Sequence, residues 1–130
     1  MSKPIEELID ECYSTAQSKG WWESGDRNFG ELIALCHTEL SEAFEEYRQH
    51  GLDPTWMLYD DIDHEEGDVR MPLFFNDGQH KTEGIAAELA DVLVRIFDFC
   101  GHYKIPLAVA LEAKMAFNKN RPYRHGGKKA

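Results

Sequence analysis

Residues 83–100 read EGIAAELADVLVRIFDFC, and residues 34–48 read ALCHTELSEAFEEYR. In the first stretch Ile85, Leu89, Val92, Leu93, Ile96 and Cys100 recur at steps of three and four; in the second Cys36, Leu40, Ala43, Phe44 and Tyr47 do the same. Such spacing lines one side of a helix. It predicts helices over roughly 83–102 and 29–50. Each apolar stripe is bordered by paired acids, Glu88 with Asp91 and Glu39 with Glu42. Residues three apart lie about 300° apart around a helix, so both members of each pair share a face. Glu46 continues the second stripe while Glu45 points away, and Arg95 flanks Glu88 and Asp91.

Outward from these helices the same periodicity continues. Ile5, Leu8, Ile9, Cys12, Tyr13 and Ala16 predict a helix over 4–19, with Pro4 in its first turn and Gly20 at its stop. Asn28-x-x-Glu31 has the form of a capping box ahead of the second helix, which is expected to stop at Gly51. Thr82 is the expected cap of the third helix. Pro106 opens a fourth, about 106–120, ended by Pro122. Residues 52–81 break the pattern, with Pro54, Trp56, several acids, the piece VRMPLFF and the turn NDG, and a short hairpin or strand is expected there. The fold class is all-α, as one domain over 1–130.

Composition narrows the functions. No apolar run approaches the ~20 residues of a membrane span, and no secretory-type leader precedes the first amphipathic segment. Cys12, Cys36 and Cys100 lie on apolar stripes without CxxC spacing, reading as buried thiols of a reducing, cytoplasmic protein. Residues 1–112 hold all 24 acids and 8 of the 14 Lys and Arg, a balance of −16, whereas 113–130 hold the remaining 6 basic residues and no acid. An acidic body argues against a nucleic-acid polymer as partner. It accommodates a small phosphate ligand that arrives with its own cations.

Carboxylates at the edge of a core are costly unless something positive joins them. Oxygen-only ligands suit Mg²⁺, with Mn²⁺ as a substitute, and Mg²⁺ takes a few carboxylates and fills its other positions with water and phosphate oxygens. A di-iron bundle would carry Glu-x-x-His on its helices. None is present; an Asp-x-x-His, Asp61 to His64, falls in the irregular stretch. On the last helix Lys114, Asn118 and Arg121 share a face, offering a point charge, an amide and a planar fork to phosphates. Trp21 and Trp22 precede the second helix and have two uses, stacking on a base or packing between helices. Trp56 and the Phe74–Phe75 pair read as core or interface.

The ordered set E39LSE42, E88LAD91 and K114MAFNKNR121PYRHGG resembles the all-α nucleoside triphosphate pyrophosphohydrolases of the MazG-like family. The lead-in GWWES and the block KTEGIAAELADVLVRIFD extend the likeness over most of the chain apart from the first helix and residues 52–80. The resemblance implies a four-helix bundle with an irregular insertion between the second and third helices, assembled as a homodimer or homotetramer. It implies hydrolysis of a nucleoside triphosphate to monophosphate and pyrophosphate, in nucleotide pool control or housecleaning. By position, Glu39, Glu42, Glu88 and Asp91 would hold Mg²⁺. One of Glu39 and Glu42 would serve as general base. Lys114, Asn118, Arg121, Tyr123 and His125 would contact the substrate, joined by Trp21 and Trp22. The spacing from Glu42 to Glu88 exceeds that of the compact members. A relative specialised for dUTP or phosphoribosyl-ATP, or a catalytically silent nucleotide-binding protein, would carry much of the same pattern.

Overall fold

The computed structural model describes residues 3–60 and 78–129. Helices α1 (Ile5–Ser18), α2 (Phe29–His50), α3 (Ile85–Tyr103) and α4 (Leu107–Lys119) follow the predicted segments closely. A 3₁₀ turn (Pro54–Trp56), strands β1 (Tyr59–Asp60) and β2 (Thr82–Glu83), and a short terminal helix α5 (Arg124–Gly127) complete the described chain. The protein is mostly helical, as its periodicity requires, and no helix among the described residues is long and apolar enough to cross a membrane.

Local chemistry accounts for the helix ends. Asn28 caps α2, its Oδ1 accepting from Glu31 N–H at 3.0 Å. Gly51, at φ 60°, ends α2, and its N–H donates to the carbonyl of Tyr47 at 2.7 Å. The start of α3 differs from the expectation. Thr82 lies in β2, paired with Asp60, and Gly84 takes the cap position at φ 107° with no side-chain cap. A side chain there is excluded because a Cβ would fall 2.4 Å from the carbonyl oxygen of Met57. That carbonyl accepts from Ala86 N–H at 2.8 Å, so the chain after α2 supplies the cap that Thr82 does not.

The helix α3 is central, with α1 and α2 packed on it. Phe29, at the start of α2, meets Phe99 and Tyr103 near the end of α3 at 5.3 and 5.5 Å between ring centroids. Farther along α2, Glu39 meets Arg95. The two helices are therefore antiparallel. The join with α1 is tight because Gly101 has no side chain: a Cβ there would fall 2.6 Å from Tyr13 Cβ. Ile9, Trp22, Leu32, Cys36, Phe97, Phe99 and Cys100 form the core. The three thiols are free, and burial is the first cause raising each pKa.

The fourth helix is the departure from a four-helix packing. Leu107 touches the core, but no residue of α4 is buried and, among the described residues, no other element packs closely along it. Val109, Leu111, Met115 and Phe117 face solvent. β1 and β2 pair antiparallel, Tyr59 opposite Glu83 and Asp60 opposite Thr82, and most of the stretch expected to hold a hairpin or strand lies outside the described residues. Trp56, read as core or interface, is half-buried and stacks on His50 at 4.1 Å. The piece VRMPLFF, with Phe74 and Phe75, and the pair Asp61 and His64 lie outside the described residues.

Candidate metal centre

Because α2 and α3 run antiparallel, their two acidic borders meet. One carboxylate oxygen from each of Glu39, Glu42 and Glu88 lies within 4.8 Å of the others. Two oxygens on one magnesium ion are separated by about 3–4 Å, so this spread is of the right order. Glu39 and Glu88 are 7% and 8% exposed, whereas Glu42 reaches solvent. The cluster thus has a buried floor and an open side. Asp91, one turn beyond Glu88 on the same face, is exposed.

The floor is electrostatically incomplete. Glu39 Oε1 accepts from Arg95 Nε at 2.8 Å, but Glu39 Oε2 and Glu88 Oε2 are buried with no hydrogen-bond partner among the described residues. Burial, a hydrogen bond with Glu42 and the charges of Glu42, Asp91 and Glu39 push the Glu88 carboxyl up to about 7. Asp91 is raised as well, first by burial and then by Glu39, with Arg95 acting the other way. Buried carboxylate oxygens without donors are costly. A hard divalent cation is the ligand such a set of bare oxygens fits. The residues present therefore suit Mg²⁺ or Mn²⁺, with Glu39, Glu42 and Glu88 as first holders and Asp91 within electrostatic reach.

The irregular stretch closes one side of this region. Tyr59 Oη donates between two carboxylates, 3.2 Å from Glu46 Oε1 and 3.5 Å from Glu83 Oε2. Burial, Glu46 and Glu83 all hold the phenol well above its usual range. Glu46 lies one turn past Glu42 on α2, so Tyr59 ties the segment after α2 to α2 itself and to β2, just ahead of α3. Asp60 beside it is 2% exposed. Neither role was visible in the sequence, since Tyr59 and Glu83 meet only through the β1–β2 pairing.

The remaining predicted site residues are dispersed. Lys114 and Asn118 are carried on α4, whereas Arg121, expected on the same helix, follows its C-cap Asn120; no hydrogen bond or ion pair among the described residues joins the three to the acids. Lys114 Nζ and Arg121 Cζ lie 6.0 and 5.5 Å from the ring of Phe117. Tyr123 is exposed, and the His125 side chain is outside the described residues. Trp21 is exposed, with Arg27 Cζ at 5.6 Å from its ring.

Trp22 belongs to the core instead. Its Nε1 donates to Asp98 Oδ1 at 2.8 Å, and its ring stacks on His102 at 3.7 Å. Asp98 and His102 lie ten and fourteen residues past Glu88 on α3, about 15–21 Å along the axis at ~1.5 Å per residue. Of the two uses open to the tryptophan pair, Trp22 takes packing. His102 is held in turn, its Nε2 2.8 Å from Asp26 Oδ1 and its Nδ1 3.0 Å from Tyr13 Oη.

Comparison with known proteins returned no matching family model, no matching curated sequence and no matching solved structure.

Proposed function

We propose that the protein is a Mg²⁺-dependent nucleoside triphosphate pyrophosphohydrolase, releasing a nucleoside monophosphate and pyrophosphate, as its resemblance to the MazG-like enzymes implies. The observation that carries the reading is the convergence of Glu39, Glu42 and Glu88 across two antiparallel helices, with one oxygen each of Glu39 and Glu88 buried and without a hydrogen-bond partner among the described residues. A bound divalent ion supplies charge neutralisation of the triphosphate and a water of lowered pKa. The chain's own residues do the rest. Glu39, Glu42, Glu88 and Asp91 hold the ion, and Glu39 or Glu42 takes the proton of the attacking water as the α phosphorus is approached. Lys114 and Arg121 neutralise phosphate oxygens, Asn118 donates to them, and Tyr123 and His125 extend that contact.

Lys114 and Asn118 stand on a helix whose apolar residues are exposed, with Arg121 just past its end, and Leu40, Phe44 and Tyr47 of α2 and Leu89, Leu93 and Val94 of α3 are exposed too. Surfaces of this kind are interface surfaces. A homodimer or homotetramer that covers α4 completes both the helical packing and the substrate pocket. The working setting is the cytoplasm, in control of the nucleotide pool.

The test is incubation with Mg²⁺ and each common NTP and dNTP, with dUTP and phosphoribosyl-ATP added, followed by product resolution. Monophosphate with pyrophosphate, lost in Glu42→Ala and Glu88→Ala, is the expected result and ranks the bases. Diphosphate with orthophosphate would rule the mechanism out. No turnover of any member, with nucleotide binding retained, would replace it with a binding role.

A further inference from the structure

The acid cluster carries a cation of its own. Arg95 Nε donates to Glu39 Oε1 at 2.8 Å, the Arg95 side chain being 39% exposed and that of Glu39 9%. Arg95 lies one turn beyond Asp91 and two beyond Glu88, on the same face of α3. The contact uses one N–H of the guanidinium, and no second acceptor engages its other N–H groups among the described residues. Glu39 Oε2, buried with no hydrogen-bond partner among the described residues, belongs to the carboxylate that Arg95 grips. Lys81 also bears on Asp91, but its Nζ is 3.1 Å from Glu83 Oε1.

Two ligands of opposite charge meet Arg95 differently. A bare divalent ion reaching Glu39 comes within a few ångströms of a fixed positive charge in a partly buried site, where like-charge repulsion is strong. An ion wrapped in a polyphosphate arrives as a net anion, and a half-exposed guanidinium edge with free N–H groups is a favoured partner for phosphate oxygens. The same side chain thus opposes the first ligand and favours the second.

Resting on the metal–triphosphate reading above, we propose that Arg95 is a selector: gripping Glu39 from one side, it makes the acid cluster take up a metal–polyphosphate complex in preference to the bare metal ion. Arg95 then serves as a substrate-selecting residue as well as a positioning residue for Glu39.

The experiment measures two affinities in the full chain and in Arg95→Gln and Arg95→Lys: Mn²⁺ alone by electron paramagnetic resonance, and inorganic tripolyphosphate with Mg²⁺ by calorimetry. Arg95→Gln is expected to bind Mn²⁺ about tenfold tighter and Mg–tripolyphosphate about tenfold weaker. Arg95→Lys keeps the charge without the fork, so its Mn²⁺ affinity stays near wild type while its tripolyphosphate affinity falls. Movement in opposite directions is the signature, because damage to the site weakens both. Mn²⁺ binding unchanged or weaker in Arg95→Gln, or unchanged tripolyphosphate binding, overturns the selector role. Should Arg95→Gln fail to fold by circular dichroism, Arg95→Lys decides, and wild-type tripolyphosphate affinity there overturns the role. A wild-type chain that binds neither probe defeats the metal reading itself. One that binds Mn²⁺ alone defeats the polyphosphate reading and the selector with it. One that binds both without the opposed shift defeats the selector alone.

Discussion

Glu39 and Glu88 face each other across the antiparallel seam of α2 and α3, and each keeps one carboxylate oxygen buried with no donor beside it among the described residues. Like charges held this way weaken the fold until a cation joins them. Mg²⁺ or Mn²⁺ is therefore expected to raise the melting temperature, with about 2.7 kcal/mol of stabilisation at a hundredfold excess over the dissociation constant. Glu88→Gln is expected to melt higher than wild type without metal and to lose the metal-induced rise. Thermal scans with and without Mg²⁺ check both, and a rise that persists in Glu88→Gln would place the ion elsewhere.

The same carboxyl sets a pH dependence. Glu88 is pushed from 4.5 up to about 7 by burial first, then by Glu42. The folded state holds this proton more tightly than the unfolded one. Its contribution to stability is thus fully present below about pH 4.5 and is lost as pH rises through about 7. Without metal, chemical denaturation should show falling stability from pH 5.5 to pH 8 on the order of the single-site linkage slope. Glu88→Gln should flatten that fall, and Mg²⁺ binding near pH 7 should release protons in calorimetry. Equal slopes in variant and wild type would assign the effect to another group.

Gly101 marks the closest approach of α1 to α3. Gly101→Ala puts a Cβ 2.6 Å from Tyr13 Cβ, so the helices must part. Overpacking of this kind costs about 1–3 kcal/mol. Urea unfolding should show that loss with the Mn²⁺ affinity nearly unchanged, since the acids sit at the other end of α3. Gly84→Ala should hurt both properties: its Cβ would strike the Met57 carbonyl at 2.4 Å, four residues before Glu88.

Uncovered α4 predicts association. Met115 and Phe117 are more than half exposed, and a Phe117→Glu, Met115→Glu double variant is expected to shift sedimentation toward the monomer. Activity should fall with it if a second copy completes the pocket. A wild-type chain that sediments as a monomer would remove the oligomer from the proposal.

Much of the fold was legible because helical periodicity is a local signal. Leu89, Val92, Leu93 and Ile96 mark α3 by spacing alone, and Asn28 and Gly51 mark the ends of α2 by their own chemistry. The cap of α3 was not legible, because the acceptor at Ala86 N–H is Met57, nearly thirty residues earlier. Tyr59 between Glu46 and Glu83 escaped notice for the same reason. Trp22 could be read two ways from sequence, since an indole suits a base or a core equally, and only Asp98 and His102 decide it.

By itself the sequence determined four helices and the faces on which Glu39, Glu42, Glu88 and Asp91 stand, because side-chain direction follows from a fixed turn per residue. Tertiary structure alone decided that three of those carboxylates converge, that two of their oxygens are stranded, and that Arg95 grips one of them. Burial and pairing depend on what packs opposite, and residues fifty positions apart encode that only through the fold they share.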